Sequence, residues 1–167
     1  MAIIVEDGTG LAASNSYVSL EAALAYHADH GYPAWAASSD PLRSAALIRA
    51  TAALDGKYSG RWPGVRCMEL QALDWPRYEA WDRDGYPLVG VPSGVKNATC
   101  AAALIELATP GALSAALDRG GMIAREKTGP IETEFFAGAP ASTVYQVIKQ
   151  ALARIVKGGG SVVMSRG

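Results

Sequence analysis

Two histidines, His27 and His30, stand three positions apart with Asp29 between them. On a helix that spacing can bring two imidazoles to one metal ion, but no nearby motif offers a third or fourth ligand. A packed or solvated histidine pair is the expected reading. Asp82-Arg83-Asp84-Gly85 resembles the middle of a calcium loop, yet the leading ligand position falls on Ala80 and no glutamate closes the loop. It reads as a polar turn. Gly8 and Gly10 follow a short apolar strand, IIV, without the lysine of a phosphate loop and too far ahead of the next helix. Cys67 and Cys100 lack metal or redox spacing, and Cys100 sits in an apolar helical run where a reduced thiol fills core. No nucleophile stands beside a base, so the expectation is a protein without catalytic chemistry, metal or cofactor.

A richer set lies in residues 57–93, which hold three of the four tryptophans, Trp62, Trp75 and Trp81, with Tyr58, Tyr78 and Tyr86. Aromatics interleaved with Arg61, Arg66, Arg77 and Arg83 are what single-stranded nucleic-acid binders use for stacking and backbone contact. The other reading is that these rings anchor a long loop to the core or to a neighbouring subunit. Glu69, Asp74, Glu79, Asp82 and Asp84 offset the arginines, which favours the anchoring role.

The elements that must position this loop are helical. A chain of 167 residues that is 50% apolar can bury one sizeable core, and a net charge of −1 leaves no global field for nucleic acid or an anionic membrane. MAIIVEDGTG lacks the basic start and apolar length of a signal peptide, and no run of apolar residues is long enough to span a membrane, so a cytoplasmic protein is expected. Four helices are predicted. The first is LEAALAYHADH with Ser19 as N-cap and Gly31 as stop. The second is LRSAALIRATAALD after Asp40-Pro41, ending on a left-handed Gly56. The third, GVKNATCAAALIELA after Pro92-Ser93, is apolar nearly all round and should be central; Pro110-Gly111 ends it before ALSAALDRGG adds a short turn. The fourth is TVYQVIKQALARIVK.

Before the last helix, REKTGPIETEFF reads as a β-hairpin, about residues 121–136, with Arg125 and Lys127 on one arm and Glu132 and Glu134 on the other. A lone two-stranded ribbon is marginal in water, so Met122, Ile123, Ile131, Phe135 and Phe136 must pack on something. An intersubunit arm built on Arg125, Lys127, Glu132, Glu134, Phe135 and Phe136, and a cap on the chain's own bundle, both fit. After residues 1–157, read as one helical domain, Gly158-Gly159-Gly160 open an extended tail, 158–167, whose Val162, Val163, Met164 and Arg166 suit docking into a partner's edge or groove.

The ordered succession VEDGTGLAASNSYVSLEAALAYHADHG, ALIRATAALDGKY, LDWPR, DRDGY, the Pro92-Val95-Lys96-Ala98-Thr99 helix start and REKTGPIE resembles a tailed-phage family labelled DnaT-like single-stranded-DNA-binding proteins, over nearly the whole chain. The helical order, long loop and hairpin are also similar to phage head-tail connectors. That second resemblance implies a mainly α, four-helix connector-like fold and a structural virion protein. It would form a ring, expected to be dodecameric, in the virion neck after assembly in the host cytoplasm. Its partners would be further copies of itself, the portal protein through Val162, Val163, Met164 and Arg166, a tail-side neck or tail-completion protein, and passing double-stranded DNA, with no membrane and no cofactor. A net charge of −1 favours this adaptor reading. The alternative is a single-stranded-DNA-binding replication accessory.

Overall fold

The computed structural model describes residues 2–114, 125–128, 131–134 and 145–157. Among these the helices are α1 (Leu20–Asp29), α2 (Pro33–Ala37), α3 (Asp40–Tyr58), α4 (Ser93–Ala108) and α5 (Gln146–Ala151). Strand β1 (Val65–Arg66) pairs antiparallel with β2 (Arg77–Tyr78), and β3 (Arg125–Thr128) pairs antiparallel with β4 (Ile131–Glu134). The fold is mainly helical. The expected four helices become five among the described residues because α2 is a single short segment, too brief to show periodicity, held by Pro33 in its first turn and a fully buried Trp35.

Helix α1 starts as its sequence predicts: the Ser19 hydroxyl accepts from the Ala22 N–H at 3.2 Å. Helix α3 departs from expectation at both ends. Ser39, not Asp40, is its N-cap, and the helix runs through Gly56 to Tyr58. Tyr58 continues the buried stripe of Leu47, Ala50, Thr51 and Leu54, so burying its ring extends the helix past a residue that often ends one.

Helix α4 is central, packing against α1, α3 and α5. Its buried face is rich in alanine (Ala98, Ala101, Ala102, Ala103), and α3, against which it packs, buries Ala46 and Ala50; small side chains of this kind let two helix backbones approach. Gly94 serves the same purpose toward α5, since a Cβ there would lie 2.7 Å from the Ala151 carbonyl oxygen. Helix α5 is shorter than predicted. Its apolar stripe of Ile148, Leu152 and Ile155 is buried, but the chain turns after Ala151, and Thr143 and Val144 lie outside the described residues.

Two buried carboxylates organise the loops around this bundle. Glu6 Oε1 accepts from the N–H groups of Gly8 and Gly10, both at 2.9 Å, while Oε2 accepts from Leu11 N–H at 2.9 Å and the Ser14 hydroxyl at 3.0 Å. The glycine-rich stretch is therefore folded about the chain's own carboxylate. Glu106 accepts from Gly111 N–H (2.7 Å), Leu113 N–H (2.9 Å) and Arg49 Nε (2.8 Å), which ties the turn after α4 back to α3. Burial alone would raise the Glu106 carboxyl, but the two N–H donors and the Arg49 guanidinium outweigh it and hold the group below its usual range.

In the hairpin, the register sets Arg125 opposite Glu134 and Lys127 opposite Glu132, the opposite-charge pairing expected of its two arms. Phe135 and Phe136, and the tail residues Val162, Val163, Met164 and Arg166, lie outside the described residues.

Candidate nucleic-acid interface

The long segment between α3 and α4 is ordered by its own polar groups. Trp62 and Trp75 are 3% and 0% exposed and meet edge to face at 5.9 Å, with Tyr58 packed on Trp62 at 5.5 Å. Beneath them the Tyr17 hydroxyl donates to Asp55 Oδ1 (2.6 Å) and accepts from Trp75 N–H (3.2 Å), and Asp55 Oδ2 accepts from Asp74 N–H (3.0 Å). The Gln71 side chain, also buried, accepts from Met68 N–H and donates to the carbonyls of Leu73 and Pro76. This part of the loop is pinned to α3 and to the segment ahead of α1.

Arg77 completes the pinning. Its guanidinium donates to the carbonyls of Pro63 (2.7 Å), Gly64 (2.8 Å) and Asp74 (3.1 Å). The paired β1 and β2 close on each other so tightly that a Cβ on Gly64 would sit 2.0 Å from the Tyr78 carbonyl oxygen, and Gly64 holds φ +66°. Arg66 donates to the Gln71 carbonyl, and Arg61 donates to the Lys157 carbonyl while its guanidinium lies 5.6 Å from the Tyr58 ring.

From Tyr78 onward the chain turns outward. Leu88 N–H donates to the Ala80 carbonyl, Asp82 N–H to that of Tyr86, and Trp81 bridges Pro87, so residues 80–88 form a small hairpin. Its tip is the DRDGY turn, in which Asp82 Oδ1 accepts from Asp84 N–H (2.9 Å) and Tyr86 N–H (2.8 Å). This is the polar turn expected from sequence. It leaves Tyr78 (61%), Trp81 (56%) and Tyr86 (70%) exposed.

Two hollows adjoin the hairpin. One, of about 390 Å³, runs between Tyr78, Trp81 and Val89 and the Gly8–Thr9 backbone. The other, of about 440 Å³, is walled by Arg83, Arg154, Asn97 and Gln150 at the start of α4. Arg83 and Arg154 are both exposed, with Arg154 3.8 Å from Asp84.

The residues picked out by sequence thus divide. Trp62 and Trp75 have no exposed face for a base, and Arg77 spends its donors on carbonyls, so all three are structural. Arg61 and Arg66 remain exposed but are partly engaged with backbone carbonyls. Trp81 and Arg83 share the outer hairpin with Tyr86, and Tyr78 stands just ahead of it at the end of β2. Sequence reasoning did not separate those tyrosines from the buried rings, although their place beside a polar turn was a usable signal. Arg154, near the end of the fourth predicted helix, joins them only through the fold. Elsewhere, His27 is buried with its ring 4.4 Å from Trp35, and burial, with His30 nearby, lowers its imidazole to about 4. No cluster of three or more His, Cys, Asp or Glu able to hold a metal occurs among the described residues.

Over residues 1–167 the sequence matches the family described as "Putative DnaT-like ssDNA binding protein". No curated protein and no solved structure gives a match. The family match corrects the adaptor expectation. A dodecameric neck ring with portal, tail-completion protein and passing duplex DNA rested on a generic order of helices, loop and hairpin, and architecture of that kind does not carry function. The family that spans the chain is instead described by single-stranded DNA.

Proposed function

Because the chain belongs to the DnaT-like single-stranded-DNA-binding family, we propose that it binds single-stranded DNA across the 80–88 hairpin. Unpaired bases stack on Tyr78, Trp81 and Tyr86, and the backbone passes Arg83 and Arg154. The observation that carries this reading is the exposed pair Trp81 and Tyr86 on a turn-stiffened hairpin, with exposed Tyr78 just ahead of it at the end of β2 and an arginine-lined hollow beside it. Stacking tolerates any base, because each has a π face, and a duplex keeps those faces hidden. Few phosphates are neutralised, consistent with a net charge of −1 and with two arginines among the described residues that line the hollow. The protein acts in this reading as a binder, with no catalytic step and no cofactor.

Fluorescence anisotropy with labelled oligothymidylate, run beside a duplex of equal length at about 50 mM salt, tests it. Single strands should bind and duplex should not, and the triple change Y78A/W81A/Y86A should abolish binding while the fold persists by circular dichroism. Equal affinity of the triple variant, or no binding of the single strand by the wild type, would overturn the assignment.

A further inference from the structure

Stacking on exposed rings leaves unused the hollow of about 390 Å³ between Tyr78, Trp81 and the Gly8–Thr9 backbone. Its volume falls within the range of small-molecule sites, about 300–1,000 Å³. Its polar groups are one-sided. The Gly8 N–H is spent on Glu6, the Thr9 N–H and hydroxyl on Asp7, the Leu88 N–H on the Ala80 carbonyl, and the Arg77 guanidinium on three carbonyls. Away from the ring edges of Tyr78 and Trp81, the charged group left on this lining is the Glu79 carboxylate, which enters none of the ion pairs among the described residues. A carboxylate only accepts hydrogen bonds, so the hollow suits a ligand edge made of donors.

The backbone holds Glu79 there at a conformational cost. Glu79 is the single residue between β2 and the outer hairpin, and at φ +51° it is the one non-glycine residue in the left-handed region among the described residues. Three contacts enforce that turn: Tyr78 pairs with Val65, the Ala80 carbonyl accepts from Leu88 N–H, and Gly64, lacking a side chain, admits the Tyr78–Ala80 backbone. Glycine would make the same turn with less strain. Glutamate puts a carboxylate on the wall of the hollow instead.

We infer that the hollow is a base pocket in which Glu79 selects guanine, a reading that rests on single-strand binding by this surface. The Watson–Crick edge of guanine presents its N1–H and N2–H side by side, and one carboxylate accepts both in parallel. Thymine sets its one N–H between two carbonyls that a carboxylate repels. Adenine and cytosine each place an amino donor beside a ring-nitrogen lone pair, so they offer one bond and one repulsion. That edge is free in an unpaired base and covered in a duplex.

Anisotropy of the wild type with labelled oligothymidylate, and with the same strand carrying dG at every third position, reads the preference. The dG strand should bind roughly tenfold tighter. Deoxyinosine in place of dG lacks the N2 amine and should lose most of that gain. Glu79→Gly, which fits the left-handed turn, and Glu79→Gln should each bring the ratio of the two affinities close to one. Equal wild-type affinity for the two strands, a deoxyinosine strand as tight as the dG strand, or a ratio that survives both substitutions overturns the proposal. Equal binding of both strands removes the guanine pocket and leaves single-strand binding standing, whereas no binding of either strand removes both. If neither variant folds, the dG and deoxyinosine strands on the wild type decide.

Discussion

The first and second halves of the loop between α3 and α4 are built from the same residue types and meet opposite fates. Residues 59–77 bury Trp62 and Trp75 and turn Arg77 onto backbone carbonyls, whereas residues 78–90 expose Tyr78, Trp81 and Tyr86 and leave Arg83 at the surface. The difference lies in what the backbone needs. Apart from the two-residue β1–β2 pairing the first half is irregular, and an arginine and a glutamine act as donors to carbonyls outside that pairing. The second half closes its own bonds as a small hairpin, and its side chains are released from structural duty. Aromatic and basic composition alone therefore does not locate a nucleic-acid surface.

The largest expected effect breaks the first half. Trp75→Ala removes a fully buried ring and should cost about 3–5 kcal/mol in chemical denaturation. A loss below about 1 kcal/mol would mean that this half is not core.

Next comes Arg77→Met, which keeps most of the side-chain volume but strips donors from three carbonyls. It should destabilise the protein by roughly 1–3 kcal/mol per carbonyl left without a substitute, with water limiting the total at this half-buried site. If the same variant lost DNA affinity with no change in stability, Arg77 would belong with the outer surface.

In the second half the readouts exchange places. Trp81→Ala should weaken oligothymidylate binding by about 1–3 kcal/mol, measured by anisotropy, while stability moves by less than about 1 kcal/mol. A stability loss like that of Trp75→Ala would erase the contrast between the halves.

The smallest expected change is that of Arg83→Ala. Stability should be unaffected, and the slope of log affinity against log salt should become shallower by about 0.7, the contribution of one phosphate on a single strand. An unchanged slope would remove Arg83 from the backbone contact and leave Arg154 as the residue to test.

By itself the sequence determined the helical class, the Ser19 cap, the centrality of α4, the DRDGY turn and the charge-matched register of the β3–β4 hairpin. Each of these follows from short-range rules: periodicity, capping and turn chemistry act within a few residues and leave a local trace. The same rules ended α3 at Gly56 and missed α2, because burial of Tyr58 and Trp35 depends on what packs against them. The candidate site was legible only as a list. Which rings face solvent, and which arginines are taken up by carbonyls, was decided by contacts such as Tyr17 with Trp75 and Arg61 with Lys157, between residues far apart in the chain. Burial and hydrogen-bond satisfaction are properties of the assembled molecule, and no local pattern of residue types encodes them.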